Sequence, residues 1–453
     1  MKYDAASPRQ QLTVFDCVCI IVGIIIGSGI YETTPLVAAN VTSSRWLLFA
    51  WAVGGFVAII GALCYAELVT HFPEHGGDYV FLTRAYHRRI GFLFVWIDFW
   101  IVRPANIGAM AFVFARYFRE FQLPYVRDAG LATIAAVVIG VLAAMNLIGV
   151  RVGKWTQNVL AVIKVAGLVA IFVAAFLFLD PVEAAPASSA TTANGSFRTA
   201  MIFVLFAYGG WHAVCSVVGE VRDPRRNMLR ALLWGTSIVV IAYLLANLAF
   251  VRGLGFHGLQ ASPAVAAEVM ERGGGTWGRR CSSALICLSC LGAVNGMLFA
   301  GSRIYYSLGT KELPFRWLSH WNARTGTPMR SIVIQTFATV GLVLAYQGRE
   351  DGFRRIVEFG APFFWFFLCL TSVSLFVLRR QATPGSAAGF RVLFYPATPL
   401  LFCAACLFMF YSSATYLVSQ QLSAGIDAVM IFGLLVVASG IATALLVRQR
   451  RQE

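Results

Sequence analysis

The chain has 453 residues, of which 58% are hydrophobic and 13% charged, and its mean hydropathy is +0.72. A soluble domain needs more polar surface than this composition supplies. The net charge of +15 comes with no soluble basic module, which argues against nucleic-acid binding and leaves membrane topology as its explanation.

Apolar runs long enough to cross a bilayer predict an all-α membrane protein of twelve transmembrane helices. The first six begin near Thr13, Leu47, Ile90, Gly130, Thr156 and Thr199. The second six begin near Ala231, Cys281, Ser331, Phe353, Phe390 and Ile426. Met1 to Gln10 is polar and lacks the pattern of a cleavable signal. With both termini cytoplasmic, the inner segments hold the larger share of the 36 Lys and Arg residues. Their densest group is Arg222, Arg225, Arg226 and Arg230. A multi-pass protein of a plasma membrane, bacterial inner membrane foremost, is expected.

Asp180–Ser196 is rich in Ala, Pro, Ser and Thr and reads as an outer loop carrying the glycosylation pattern Asn194-Gly195-Ser196. It separates two sets of five helices, about 13–179 and 199–378, within a single transporter domain over 1–453. An odd number of spans in each set inverts the second relative to the first. The last two helices, about 390–447, fall outside the repeat. The ten cysteines are scattered, so no disulfide framework is expected. Cys403 and Cys406 form a CxxC inside an apolar helix, where small buried residues are the plain reading.

The first helix of each set is interrupted by glycine. Gly27-Ser28-Gly29 breaks helix one and Gly209-Gly210 breaks helix six. Unwound backbone within a membrane survives only where protein or a watery cavity satisfies it. Paired breaks in two halves therefore mark the substrate site of a secondary transporter. Unwinding frees amides around Gly27, Ser28, Gly29 and Ile30 at the start of an outer half-helix, which suits a carboxylate. Carbonyls of Ile25 and Ile26 lose their helical partners and face a cation. In Phe206-Ala207-Tyr208-Gly209-Gly210-Trp211-His212, the carbonyls near Phe206 and Gly209 could complete an ammonium site. An isolated small-residue triplet also serves close helix packing. Two in register suit a zwitterion, with Phe206 either a gate or a core aromatic. The candidate binding residues are thus Ile25, Ile26, Gly27, Ser28, Gly29, Ile30, Phe206, Ala207, Gly209, Gly210 and His212.

Lys164 lies well inside helix five, where a charge is costly. It could exchange a proton, substitute for a coupling sodium ion, or snorkel. Asp16, Glu67, Asp98, Arg103 and Glu358 are further ionisable groups in or near spans, without an assigned substrate contact.

Gly-Ser-Gly-Ile-Tyr at 27–31 and Phe-Ala-Tyr-Gly-Gly-Trp at 206–211 resemble the amino acid–polyamine–organocation superfamily. Gly61-Ala62-Leu63-Cys64-Tyr65-Ala66-Glu67-Leu68 and Gly76-Gly77-Asp78-Tyr79 resemble its L-type amino acid transporter branch. Glu220 with Arg222–Asn227, Asn295-Gly296 with Arg303, and Thr325–Pro328 do so too. The resemblance runs from about Thr13 to Leu378. It implies the inverted five-helix-repeat fold with discontinuous helices one and six, and alternating access. It also implies that the Ser28 and Gly29 amides hold a substrate carboxylate. The Ile25, Phe206 and Gly209 carbonyls would hold the α-amino group, with Phe206 as gate and Lys164 tied to sodium-independent transport.

His212 departs from the branch, whose members often place Asn after this Trp, so it bears on specificity or is a structural histidine. Animal members bond a partner glycoprotein through a Cys after helix three. Around Leu123–Arg127 there is none, so no covalent ancillary subunit is expected. The leading expectation is sodium-independent transport of an amino acid, by exchange or proton symport, with no cofactor or metal. A carrier for amines or polyamines is the alternative, although neither break contains an acidic residue. A membrane sensor would want a soluble signalling domain. An enzyme or ATP-driven pump would want a Walker A, HExxH or triad grouping, and none is found.

Overall fold

A computed structural model describes residues 8–123, 129–180, 196–347, 350–381, 389–424 and 428–446. The sequon at Asn194, nearly all of the Asp180–Ser196 loop, the Pro124–Arg127 segment and the expected start of the last span at Ile426 lie outside them. Among the described residues every regular element is a helix, as composition required. Among these residues nine helices are long and apolar enough to cross a membrane, and the bent pair α1 (Val14–Ile25) and α2 (Gly29–Ala39) passes the same test together, as a broken span would. Met329–Ala345 and Met430–Leu446 are shorter apolar helices at the ninth and twelfth expected positions. Among the described residues, length and composition thus support up to ten spans where twelve were expected. The protein is an integral, multi-pass membrane protein.

In chain order, α3 (Ser44–His71) is followed by a short helix, α4 (Asp78–Ala85), that hydropathy did not announce. Gly76 and Gly77 turn the chain into it with φ of 114° and 50°, a region a side chain resists. The third span is α5 (Arg88–Ile97), a π-helical turn Asp98–Val102, and α6 (Arg103–Arg119). Pro104 explains the turn, because its ring would clash with the carbonyl four residues back. Next come α7 (Leu131–Ile148), α8 (Val150–Phe178) and α9 (Phe197–Ala207). Trp211–Glu220 continues the sixth span as a 3₁₀ helix.

The remaining helices are α10 (Pro224–Ala261), α11 (Val265–Lys311), α12 (Met329–Ala345), α13 (Glu350–Gln381), α14 (Ala397–Ala424) and α15 (Ala428–Leu446). Gly255 and Gly275 kink α10 and α11, with φ of 69° and 56°. The eighth span therefore belongs to a helix that starts at Val265, well before Cys281. Helix α1 is enclosed by α8, α10 and α11, whereas α14 and α15 pack from outside on α13, α3 and α5. Close approach rests on glycine. A Cβ on Gly54 of α3 would lie 2.3 Å from Val204 of α9, and one on Gly235 of α10 would lie 2.9 Å from Ile21 of α1.

Buried ion pairs fix the spans to one another. Arg303 of α11 and Glu220 are both fully buried and bond at 2.8 and 3.3 Å, with the guanidinium over the Phe299 ring at 3.7 Å. The Glu220 carbonyl accepts the amides of Gln11 and Leu12, each at 2.8 Å, and the Arg222 amide donates to the Leu12 carbonyl at 2.9 Å. The start of α1 is thus latched to the end of the sixth span. Glu67 accepts from Arg379 and from the Val392 amide, joining α3 to α13 and the segment beyond it. Removing one member of a buried pair leaves the other uncompensated. Glu220→Ala should cost about 3–5 kcal/mol, read as a lower melting temperature in detergent. Glu220→Met with Arg303→Met should recover most of that loss.

Candidate functional site

Both glycine breaks open onto one cavity of about 160 Å³. Helix α1 starts from a capping box, in which the Thr13 amide donates to Asp16 at 2.8 Å and the Asp16 amide to Thr13 Oγ1 at 3.3 Å. The helix stops at Ile25, and the axis of α2 bends by 49° across Ile26–Ser28. In the sixth span, Tyr208–Gly210 separates α9 from the 3₁₀ helix, and Gly210 has φ of 116°. A Cβ at Gly210 would lie 2.8 Å from Ile24, so glycine there serves both backbone conformation and contact between the breaks.

The cavity wall includes Ile25, Gly27, Gly29, Phe206, Ala207, Gly209, Gly210 and His212. Ile26, Ser28 and Ile30 are fully buried beside it rather than on its wall. The first-turn amides of α2, from Ser28 to Ile30, have no carbonyl one turn back to bond. They supply donors where an anion could bind. The carbonyl side differs. Ile25 has lost its helical partner, yet its carbonyl accepts the Gly27 amide at 2.8 Å and the Tyr243 hydroxyl at 2.9 Å. The same hydroxyl lies 3.4 Å from the Ala207 carbonyl, so Tyr243 of α10 joins the two breaks. Phe206 accepts the Gly209 amide at 3.0 Å. Its ring is 44% exposed at the cavity wall and does not seal it.

The third, eighth and tenth spans complete the enclosure with Val102, Asn106 and Met110, with Met297, and with Phe364 and Leu368. Asp98 and Arg103 also line it. They bond each other at 3.1 and 3.2 Å, and Tyr305 donates to Asp98 at 2.9 Å. The π turn brings this acid and base together, and a π turn is a frequent mark of a functional segment. Asp78, at the start of α4, faces the cavity and accepts from Tyr65. His212 packs its ring 5.4 Å from Phe364, and its Nδ1 is buried without a partner among the described residues.

Lys164 stands behind the first break. It is fully buried, and its ammonium donates to the Gly23 carbonyl at 2.7 Å. Gly292 of α11 makes room, since a Cβ there would lie 2.6 Å from Nζ. The lysine therefore caps the broken end of α1, where carbonyls point and a cation is favoured. Asp16 is paired with Lys154 at 3.1 Å and Asn158 at 2.7 Å, which places it in helix packing. Glu358 accepts from Tyr416 at 3.2 Å. Sequence reasoning missed Tyr243, Asn106, Met110 and Phe364. It noted Asp98 and Arg103 as charges within a span, the signal that could have placed them in the wall.

The amino acid permease family model matches residues 12–439. The chain belongs to the amino acid permease family. This permease is 30% identical to the cystine/glutamate transporter of Homo sapiens over 429 residues, 93% of this chain and 83% of that protein. It is 26% identical to the serine/threonine exchanger SteT of Bacillus subtilis, covering 92% of this chain and 94% of that one. It is 32% identical to the large neutral amino acids transporter small subunit 2 of Homo sapiens, over 73% of this chain and 64% of that protein. The permease is a transporter of the amino acid–polyamine–organocation superfamily near its L-type branch, and not an enzyme.

Gly29 separates folding from binding. A Cβ there would lie 3.7 Å from Ala207, an ordinary contact, so Gly29→Ala should fold. The added methyl stands on the cavity wall beside the free amides. Uptake kinetics should show KM raised roughly tenfold, the size of a modest overpacking penalty, with an unchanged melting temperature. An unchanged KM would remove Gly29 from the site.

Proposed function

We propose that this permease moves amino acids by sodium-independent alternating access, as an exchanger. The observation that carries this reading is the convergence of two broken spans on one cavity, with unpaired amides on one side and carbonyls on the other. The Ser28 and Gly29 amides hold the substrate carboxylate, with Gly27 and Ile30 shaping that turn. The carbonyls of Ile25, Ile26, Phe206 and Gly209 hold the α-amino group, with Ala207 and Gly210 keeping the backbone close. At Ile25 and Phe206 the substrate joins or displaces the present donors. Phe206 closes over the ligand, and His212 with Asn106 meets its side chain. Exchange is favoured because relatives include a protein named as a serine/threonine exchanger and one named for two amino acids, cystine and glutamate.

Lys164 supports sodium independence, because its fixed ammonium occupies the broken end of α1. The same buried amine keeps proton symport as the second reading. The five-helix sets 13–179 and 199–378 form the inverted repeat of a single transporter domain, with the last two helices peripheral. The chain sits in a plasma membrane, of bacterial inner-membrane type, with both termini cytoplasmic. No covalent subunit is expected on this reading, since the segment around Leu123–Arg127 contains no cysteine.

Purified protein in sodium-free liposomes without a pH gradient tests the mode. Labelled amino acids should enter only after preloading with unlabelled ones. Entry into empty liposomes only under an inward proton gradient would instead establish symport. Lys164→Ala removes a charged hydrogen bond of order 1.5–3 kcal/mol. It should lower exchange roughly tenfold or more while the protein still reaches the membrane, and normal uptake by it would end the coupling role.

A further inference from the structure

The transport site leaves one prominent sequence feature unused, the cluster Arg222, Arg225, Arg226 and Arg230. All four side chains are exposed, and none has a hydrogen-bond, ion-pair or ring partner among the described residues. One acid, Asp223, lies among them, in the left-handed conformation that starts α10. Four arginines against one aspartate leave an excess of positive charge at a helix N-terminus, where the backbone also favours anions.

Helical geometry adds the second observation. Residues 226, 230, 234 and 241 fall within one face of α10. Trp234 is 65% exposed and Ile241 57% exposed, whereas Met228, Ala231, Leu232, Gly235 and Thr236 turn inward. The outward face therefore reads guanidinium, guanidinium, indole, aliphatic, over about 22 Å at 1.5 Å per residue. That order repeats the layers of a bilayer leaflet, from charged headgroup through the interface favoured by Trp to hydrocarbon. Helix α10 is among the spans, so Trp234 and Ile241 face lipid. A soluble polyanion would match the arginines and leave Trp234 and Ile241 unexplained.

We propose that the Arg226–Arg230–Trp234 face is a binding seat for an anionic phospholipid. The arginines hold the phosphate-bearing headgroup, Trp234 sits at the glycerol level, and Ile241 follows the acyl chain. Arg222 links the seat to the transporter, because its amide bonds Leu12 in the latch between α1 and the sixth span. Phe15, in the first turn of α1 and 55% exposed, offers apolar surface at the same end.

The test uses the full chain in vesicles of phosphatidylcholine with a minority of phosphatidylglycerol. After gentle extraction, native mass spectrometry counts the retained lipids. Wild type should retain phosphatidylglycerol in preference to phosphatidylcholine. Arg226→Gln with Arg230→Gln should cut that preference by about fivefold per arginine removed. Arg316→Gln with Arg324→Gln removes equal charge from exposed positions away from α10 and should leave it unchanged. No preference in wild type, or an equal loss in both double variants, would overturn the seat. Added inorganic phosphate should not displace the lipid. If it does, the arginines recognise bare phosphate and the lipid assignment fails.

Discussion

A backbone amide or carbonyl inside a bilayer has no water to bond, so each group freed by a broken helix must be met by protein or by cargo. This constraint organises the centre of the permease. Lys164 meets Gly23, and Tyr243 together with the Gly27 amide meets Ile25. The Gly209 amide meets Phe206. The carbonyl side is therefore supplied largely from within. The first-turn amides of α2 are not, and they open beside the cavity. On the proposed reading, an anion meets open donors first, and a zwitterion's ammonium must then compete with, or join, donors already in place.

The same reasoning explains why the charges in this membrane interior occur as built pairs. Asp98, Arg103 and Tyr305 satisfy one another at the cavity wall, and Glu220 and Arg303 do so at the latch. Such pairs contribute little net stability over apolar packing, but removing one member is costly. Their value lies in fixing which span faces which. The Glu220 pair sets the latch that ties α1 to the sixth span. The Asp98 pair holds the π turn that gives the cavity its polar wall. Lys164 differs, because it bonds a backbone carbonyl rather than an acid, and any movement of α1 must break or carry that bond.

The two breaks were legible because glycine declares itself. Gly27, Gly29, Gly209 and Gly210 do meet around one cavity. Lys164 was legible because a charge in a long apolar run is conspicuous. Tyr243 was not, since a tyrosine in a span carries no mark until its hydroxyl is seen to reach a carbonyl 218 residues away. The π turn follows from Pro104 in hindsight, although hydropathy passes through it unbroken. Helix ends were also hard to read, because apolar windows record lipid contact rather than helix. Val265–Lys311 includes Glu268, Glu271, Arg272, Arg279 and Arg280, which precede the start expected at Cys281 and are helical, with a kink at Gly275.

The central claim is that free amides at Ser28 and Gly29 bind a carboxylate while carbonyls at the breaks bind an α-amino group. Competition against labelled uptake tests it directly. A transported amino acid would be compared with its methyl ester, which lacks the carboxylate, and its N-acetyl form, which lacks the ammonium. Each blocked form should compete roughly a hundredfold less well, the loss expected when a charged hydrogen-bonded group has no partner. Full competition by the methyl ester would contradict the account, because the cavity would then be reading amines without a carboxylate.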